Sequence, residues 1–417
     1  MLSPTDRDAL LDRFLSYVRI DTEADPQSTT APSTAKQLDL SRRLAADCVA
    51  MGLEDVSCSK AGIVIATLPA SAGVTEAPAI VWCSHVDTSP ENSGAGVAPQ
   101  IVMDYDGGPI PLPGDASQVI DPAEHPDLAT VHGHTLITSD GTTLLGADDK
   151  AGIAVIMTAV DLLKRNNRPH GPIRVVFTTD EEIGRGVDHL DVAALGAACG
   201  YTLDGDGAGK LNAATFSADG ATVVVHGVNI HPSIGKGRLV NAVKLLARFI
   251  DRVPADLLAP ETSGGDDGFV HPHTIRGGVE RAECDFILRS FETAELSHQA
   301  ERLRSLAEQI EREEPRCRVE VHVTKQYRNM ADGLASEPRA VALADAAIAA
   351  AGLQPQHEPI RGGTDGSLMT AQGLPTPNLS TGQHTPHSKQ EWASLNEMES
   401  AVAVLLELAE LWSRERR

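Results

Sequence analysis

Short, mainly apolar runs that alternate with amphipathic stretches constrain the fold of this chain more than any other feature. Residues 79–83 and 173–177 are two such runs, and Tyr201–Leu203 is a shorter third. Between the first two, residues 151–164 carry apolar side chains at helical spacing. A short apolar run predicts a strand buried on both faces, and its alternation with helices predicts an α/β domain built on a largely parallel sheet.

Acidic and imidazole side chains follow these predicted strands. They are His85 and Asp87 after the first, Asp180, Glu181 and Glu182 after the second, and Asp204 after the third, with Asp148 and Asp149 before the helix. The carboxyl ends of parallel strands meet at one edge of a sheet, so we expect these side chains to lie together. Crowded carboxylates resist ionisation unless a cation neutralises them. The pattern therefore predicts a divalent metal centre, with two metals sharing a carboxylate. Imidazole and carboxylate ligands suit Zn²⁺, with Co²⁺ or Mn²⁺ as substitutes.

The pattern changes near residue 216, where β-branched residues and new helical stripes begin. Strands are predicted at 222–225, 270–275, 279–289 and 318–323, and helices at 239–253 and 293–311. This order, β-α-β-β-α-β, predicts a compact inserted α+β domain. We therefore expect a first catalytic part at 1–216, an insert at 217–325 and a second catalytic part at 326–417.

Local signals predict further elements of the larger domain. Helices are expected at 10–20, 38–51 and 338–351, and a long final helix should open at a capping box, Ser394 to Glu397, and run to Trp412. Residues 135–145 have the pattern of a hairpin around Asp140-Gly141. Residues 88–134 read as a long loop, and a loop of this length is usually functional or mobile.

The charge balance restricts the classes of partner. The chain has 58 acidic and 35 basic residues, a formal net charge of -23. Such a surface repels nucleic-acid phosphates and anionic lipid, so we expect neither a nucleic-acid nor a membrane partner.

The six cysteines form no C-x-x-C pair, which indicates a reducing compartment. The first residues lack the basic start and apolar run that are typical of a signal peptide, and we find no apolar stretch of the roughly 20 residues that span a bilayer. We therefore expect a cytoplasmic protein.

Several longer motifs resemble the zinc-dependent M20 peptidase family, and within it the tripeptide aminopeptidases. The matching segments begin near residue 14 and reach the last helix, and they include His85-Val-Asp-Thr-Ser, Leu144-Leu-Gly-Ala-Asp-Asp-Lys-Ala-Gly, Asp180-Glu-Glu-Ile-Gly, Asn229-Ile-His-Pro, Arg361-Gly-Gly-Thr-Asp-Gly and Asn378-Leu-Ser-Thr-Gly. The resemblance implies a mixed-sheet zinc-peptidase catalytic domain with an inserted smaller βαββαβ lid domain.

The resemblance also implies a role for each matching residue around two Zn²⁺ ions per subunit. His85 and Asp204 would bind the first zinc, Glu182 and His387 the second, and Asp148 would bridge both. Asp87 would orient the His85 ring. Glu181 would act as general base toward a water shared by the two ions. The Asp148–Asp149 peptide would be cis. His384 and His387 compete for one ligand position, and spacing alone does not choose between them; the alignment with Asn378–Gly382 favours His387.

Further implied residues concern the substrate. His231 would stabilise the tetrahedral intermediate, although a surface histidine at the turn before Pro232 is the simpler interpretation. Arg289 would pair with the substrate carboxylate, although Ser290 replaces the aspartate of the relatives. Arg361 and Asp365 would lie near the metals and help to bind substrate, unless the neighbouring glycines only form a turn.

The implied function is a two-zinc aminopeptidase that acts on short peptides, above all tripeptides. Another hydrolase of the same family, a dipeptidase, carboxypeptidase or N-acyl amino-acid deacylase, would use the same ligands and stays open. A non-catalytic relative that binds metal or peptide is a second alternative, disfavoured because Glu181 and every ligand position are filled. The state in solution would be a monomer or a homodimer.

Overall fold

The computed structural model describes residues 2–416, which form two compact units. Unit one comprises the chain up to Ala213, then Met330–Glu358, and then the chain from Thr364 onward. Unit two comprises Ala214–Asn329 and Pro359–Gly363. Residues 217–325, the expected insert, lie within unit two, which also includes the short segment 359–363. No helix among the described residues combines the length and apolar character needed to cross a bilayer.

Helices occur in both units. In chain order they are α1 Pro4–Val18, α2 Gln37–Ala50, α3 Ala147–Arg165, α4 Ala242–Asp251, α5 Thr293–Glu313, α6 Met330–Leu334, α7 Arg339–Ala350, α8 Asp365–Ala371 and α9 Leu395–Trp412. Helices α4 and α5 belong to unit two. Helix α4 is shorter than predicted because the Asn241 side chain accepts the N–H of Lys244 and caps its start.

The strands form one large sheet in unit one, a four-stranded sheet in unit two and a small two-stranded ribbon. In chain order they are β1 Glu54–Cys58, β2 Val64–Leu68, β3 Ile80–His85, β4 Gln100–Val102, β5 Ile110–Pro111, β6 Val119–Ile120, β7 Leu136–Thr138, β8 Ile173–Thr178, β9 Cys199–Asp206, β10 Lys210–Asn212, β11 Ser217–His226, β12 Phe269–Gly277, β13 Arg281–Ser290, β14 Arg318–Lys325, β15 Gln356–His357, β16 Asn378–His384 and β17 Trp392–Ser394.

The large sheet has the order β1-β2-β8-β3-β9-β16-β17-β7-β4, with β10 paired to β16 and β15. Its centre, β8-β3-β9-β16, is parallel, and the flanking pairs β2–β8, β16–β17 and β17–β7 are antiparallel. The sheet is therefore mixed, as expected. Its parallel centre directs the carboxyl ends of β3, β8, β9 and β16 to one edge.

Both faces of this sheet are covered, which explains the continuous apolar runs. Ile80 and Trp82 of β3 pack into the core formed with α1, α2, α3, α7 and α9. Val81 and Cys83, which point to the other face, pack against Met369 of α8 and the segment around Leu190. Successive residues of a strand face opposite sides, so a strand between two layers needs apolar residues at every position.

The predicted hairpin at 135–145 is wrong. Only Leu136–Thr138 forms a strand, and it pairs with β4 and β17 instead of with residues 143–145. The backbone N–H groups of Leu145 and Gly146 donate to the Glu391 carboxylate, so they are not available to a partner strand. The long segment 88–134 contains β4, β5 and β6 and has its own apolar core, with Leu128, Val131 and Trp392 among its members.

Unit two has the predicted order β11-α4-β12-β13-α5-β14. Its antiparallel sheet has the order β12-β13-β11-β14. Its core contains Leu246 and Phe249 of α4, Leu303 of α5 and Phe286 of β13. The expected α/β architecture with a smaller α+β unit is confirmed.

Candidate metal centre

The carboxyl edge of the parallel strands carries the candidate metal centre. His85 is the last residue of β3, and Asp204 lies near the end of β9. Glu182 belongs to a short 3₁₀ turn that follows β8, and His387 follows β16. Asp148 lies at the start of α3, which packs against β3, β9 and β16. The structure thus brings five of the predicted site residues to one edge of unit one.

Three of these residues form a first group of possible metal ligands. The ligand atoms of His85, Asp148 and Asp204 all lie within 4.8 Å of one another. His85 Nε2 is 2.9 Å from Asp148 Oδ1 and 3.7 Å from Asp204 Oδ1. All three side chains are at most 14% exposed. One imidazole nitrogen and two carboxylate oxygens therefore converge in a nearly enclosed space.

Asp148 also belongs to a second group, with Glu182 and His387. His387 Nε2 lies 2.8 Å from Glu182 Oε2 and 3.5 Å from Asp148 Oδ2. The two oxygens of Asp148 therefore face different histidines: Oδ1 faces His85 and Oδ2 faces His387. This is the arrangement that a carboxylate shared between two cations requires.

Asp87 is fully buried and contacts residues of both ligand groups. Its carbonyl oxygen lies 3.0 Å from His85 Nδ1, and a carbonyl oxygen can only accept, so Nδ1 carries a proton and, in the neutral ring, Nε2 has the lone pair. Its carboxylate oxygens accept the backbone N–H groups of Glu181 and Glu182, each at 3.1 Å. Asp87 thus sets the tautomer of one histidine and holds the turn that carries both glutamates.

The electrostatics of the site fit divalent cations. Burial, together with the Asp148 carboxylate, raises the pKa of Glu182 to about 8 and that of Asp204 to about 6. Glu182 Oε1 is buried and has no hydrogen-bond partner among the described residues. Carboxylates that resist ionisation and an oxygen without a donor are both accommodated by a bound cation. The mixed nitrogen and oxygen donors are a set that Zn²⁺ accepts.

Glu181 precedes the ligand-type residue Glu182 in the same 3₁₀ turn but contacts neither histidine. Among residues 2–416 its carboxylate makes no hydrogen bond or ion pair. Burial and the neighbouring carboxylates raise the pKa of Glu181 well above its usual range, although the nearby His85 opposes them. The turn is fixed on its other side by Asp180, whose carboxylate accepts from Ser33 and Gln37.

The two competing histidines have different surroundings. His384 is 4% exposed, its Nε2 lies 2.7 Å from Glu397 Oε2, and its ring stacks on Trp392 with the centroids 3.7 Å apart. His387 Nε2 instead faces Glu182 and Asp148. His387 therefore has the geometry of a ligand and His384 that of a packed core residue. Glu397 uses its carboxylate for His384, while its backbone N–H donates to Ser394 as expected for the helix cap.

Four predicted residues belong to neither ligand group. In unit two, His231 is exposed, with Nδ1 2.7 Å from Ser233 Oγ. The guanidinium carbon of Arg289 lies over the Tyr327 ring, 5.5 Å from its centroid. Arg361, also in unit two, donates to Ser263 and Gly265 and lies 5.0 Å over the Phe216 ring. Asp365, in unit one, accepts from Thr178 at 2.6 Å.

Sequence reasoning overlooked residues that support the site. Glu391 is 1% exposed and binds the loop before Asp148. Asp149, already among the expected acidic residues, is buried and accepts the backbone N–H of His85 through Oδ2. Ser33 and Gln37 hold Asp180. Of these positions, only Glu391 carries a signal in the sequence, because it is an acidic residue directly before the buried strand β17. The Asp148–Asp149 peptide is cis, as the resemblance implies.

Comparisons with known proteins agree with this architecture. Residues 136–411 match peptidase family M20/M25/M40. The chain is 45% identical over 405 residues to the protein named Peptidase T of Pectobacterium carotovorum, covering 97% of this chain and 98% of that protein.

Two solved structures share the fold. A tripeptidase from Staphylococcus aureus has a TM-score of 0.77 at 24% identity, with 98% of this chain and 99% of that one covered. A dinuclear metal-binding M20 peptidase from Bacillus subtilis has a TM-score of 0.67 at 15% identity, with the same coverage of both chains. The chain therefore belongs to peptidase family M20/M25/M40 and is a hydrolase of peptide bonds.

Proposed function

We propose that the protein is a two-zinc aminopeptidase that removes the N-terminal residue of short peptides, with tripeptides as its preferred substrates. The observation that carries the proposal is the Asp148 carboxylate, whose two oxygens face His85 and His387 in two separate ligand groups. The likeness along nearly the whole chain to proteins named Peptidase T supports the choice of substrate.

The proposed ligands are all in unit one. His85 and Asp204 hold one ion, Glu182 and His387 hold the other, and Asp148 is shared. Two such ions, when bound, lower the pKa of a common water and polarise the carbonyl group of the scissile bond. Zn²⁺ is the proposed metal, and Co²⁺ or Mn²⁺ would bind the same nitrogen and oxygen donors.

Glu181 is the proposed general base. It accepts a proton from the attacking water and returns this proton to the departing amine. Its position supports the role, because it adjoins Glu182 while its own carboxylate is not used in any hydrogen bond or ion pair of the described chain. Asp87 contributes by holding the Glu181 N–H and the His85 ring.

Residues of unit two are proposed to act on the substrate. Arg289 pairs with the peptide carboxylate, which its planar guanidinium can bind through two hydrogen bonds. His231 stabilises the tetrahedral intermediate. The assignments of Arg361 and Asp365 to substrate binding stay predictions.

The proposed setting is the cytoplasm. All six cysteines are free, and five of them are buried, which suits a reducing compartment. The partner is the peptide substrate, and neither a nucleic acid nor a membrane is proposed. The state in solution is a monomer or a homodimer.

The test is release of the N-terminal residue from an unblocked tripeptide by zinc-loaded protein. The matching dipeptide and the N-acetylated tripeptide serve as substrate controls. Glu181→Gln removes the proton acceptor while it keeps the side-chain volume, so kcat should fall by about 10²–10⁴-fold at unchanged metal content. Glu124→Gln, an exposed site in the same unit, should leave kcat unchanged.

Other outcomes would redirect the assignment. Hydrolysis of the acetylated peptide alone would make the protein a deacylase or carboxypeptidase with the same metal centre. A Glu181→Gln protein with full activity would remove Glu181 from the mechanism. Zinc-loaded protein that cleaves none of the peptides would favour a non-catalytic relative.

A further inference from the structure

Glu391 is a buried carboxylate whose hydrogen bonds all go to one short loop. Its Oε2 accepts the backbone N–H groups of Leu145 at 2.8 Å and Gly146 at 2.7 Å, and its Oε1 accepts that of Asp148 at 3.0 Å. The residue is 1% exposed, so the contact is shielded from bulk solvent. Three backbone N–H groups thus share one side chain, so the positions of the loop and of Glu391 are fixed relative to each other.

The loop has the shape that such a contact requires. Gly146 adopts a left-handed conformation with φ 77° and ψ 31°, and this curls successive N–H groups toward a common point. Concave loops of this kind are anion-binding sites in proteins. Here the anion is a side chain of the same chain, 243 residues from the Asp148 N–H that it binds.

The contact joins two segments that carry proposed metal ligands. Glu391 follows His387 by four residues and directly precedes Trp392 of the buried strand β17. Its other end holds the backbone of Asp148. Asp148 Oδ2 and His387 Nε2 lie 3.5 Å apart, so the separation of these two ligand atoms depends on how the two backbones are fixed relative to each other.

We propose that Glu391 is a positioning residue of the metal centre, which sets the shared ligand Asp148 against His387 by binding the loop 145–148. The inference rests on the proposed two-metal site. Glu391 itself contacts neither the metals nor the substrate. Its effect reaches the metals through the backbone of Asp148.

The variant Glu391→Gln tests this because it keeps the size of the side chain. A carboxamide has one acceptor oxygen and one NH₂ donor, so at least one of the three loop N–H groups then faces a donor. If the amide oxygen faces Leu145 and Gly146, it still accepts their two backbone N–H groups. The hydrogen bond that is lost is then the one from the Asp148 N–H. The disturbance therefore falls on the residue that is proposed to bridge the metals.

The measurement is the binding of Co²⁺ to metal-free full-length protein, by competition with a chromophoric chelator, together with the visible d–d spectrum of the bound ion. Outer-shell changes of this kind typically weaken metal affinity about 10–100-fold. We expect a loss of this size for Glu391→Gln, an altered spectrum, and a lower kcat at similar KM. Glu397→Gln is the matched control. Glu397 is buried in the same region, but its carboxylate contacts the His384 ring and not the loop 145–148. It should lower stability while affinity and spectrum stay unchanged.

Each result decides the inference. The inference is wrong if folded Glu391→Gln keeps the Co²⁺ affinity and the spectrum of the wild type. It is also wrong if Glu397→Gln loses as much Co²⁺ affinity as Glu391→Gln does, or if the wild-type protein binds no metal. If Glu391→Gln does not fold, Glu391→Asp, which retains the charge but shortens the reach, is judged by the same criteria. Metal binding is measured without peptide. A wild type that binds two ions but cleaves no tripeptide would therefore refute the proposed function and leave the role of Glu391 intact.

Discussion

The buried carboxylates around the metal site differ in their partners, and the partners determine what each can do. Asp87 and Glu391 accept backbone N–H groups, which fixes the positions of their carboxylates. Asp148 divides its oxygens between two histidines. The Glu181 carboxylate makes no hydrogen bond or ion pair within residues 2–416, which suits its proposed role as the group that exchanges a proton.

The surroundings of His384, the last residue of β16, likewise determine its pKa. Burial alone would lower the pKa of His384, but its hydrogen bonds to Asp127 and Glu397 outweigh burial and raise the pKa to about 8. The protonated ring therefore stabilises the folded chain. This contribution is complete below the unfolded pKa of about 6.5 and is lost as the pH rises through about 8.

His384→Gln should remove this pH dependence. Between about pH 6 and about pH 9, the free energy of unfolding of the wild type should fall by about 2 kcal/mol more than that of the variant. Urea unfolding of both metal-loaded proteins measures the difference, in which metal effects common to both cancel. His384→Gln should keep its metal content, whereas His387→Gln should lose metal. Parallel pH profiles for the wild type and His384→Gln would contradict the prediction.

At the scale of elements, the close contact between helix α3 and the large sheet determines where Asp148 lies relative to the other proposed ligands. Gly152 lies on α3 where a Cβ atom would overlap the Leu203 carbonyl oxygen, Asp149 Oδ1 and Ser84 Oγ. Its N–H also donates to Asp149 Oδ1 at 3.2 Å. Glycine therefore allows the helix to approach β3 and β9 closely, and this approach brings Asp148 to the ends of the strands that carry His85 and Asp204.

Gly152→Ala should separate the helix from the sheet. Overpacking of this kind costs about 1–3 kcal/mol of unfolding free energy, and the added methyl group here meets backbone and buried atoms that cannot move aside. Metal affinity should fall as well. Gly264→Ala is the control, because nothing lies within 4 Å of its added Cβ, and it should change stability by less than about 0.5 kcal/mol. Wild-type stability and metal affinity in Gly152→Ala would refute this account of the close packing.

At the scale of the whole molecule, each unit has its own apolar core, but only unit one also holds the proposed metal ligands. Unit two has an apolar core between two helices and an antiparallel sheet. Unit one holds all five proposed metal ligands, in a chain whose formal net charge is -23. Trp82, Trp392 and Trp412 are all buried in unit one, so tryptophan fluorescence reports the folding of that unit alone.

Metal should therefore stabilise the transition that tryptophan fluorescence follows. For each site, Zn²⁺ at about 100 times its Kd should raise the free energy of unfolding by about 2.7 kcal/mol, provided that the unfolded chain does not bind it. Urea unfolding with and without a chelator measures the gain. His387→Gln should show a smaller gain because one site is lost. Equal stability of the metal-free and metal-loaded wild type would contradict a folded metal centre in unit one.

Most elements of both units could be predicted from the sequence, because their signals are local. Continuous apolar runs predicted β3 and β8, helical stripes predicted α3 and α5, and the order of elements in unit two followed directly. The local pattern at 143–145 was misleading, since a distant carboxylate binds the N–H groups that a hairpin would use. The polar residues at strand ends also indicated the edge of the sheet at which the candidate ligand groups lie.

Tertiary structure alone decided the partners of each polar group. Spacing could not separate His384 from His387, but the fold stacks one on Trp392 and directs the other at Glu182. The role of Glu391 depends on a loop that lies more than 240 residues earlier in the chain. Side-chain periodicity is set between neighbours, whereas hydrogen bonds between distant segments form only once the sheet has brought those segments together.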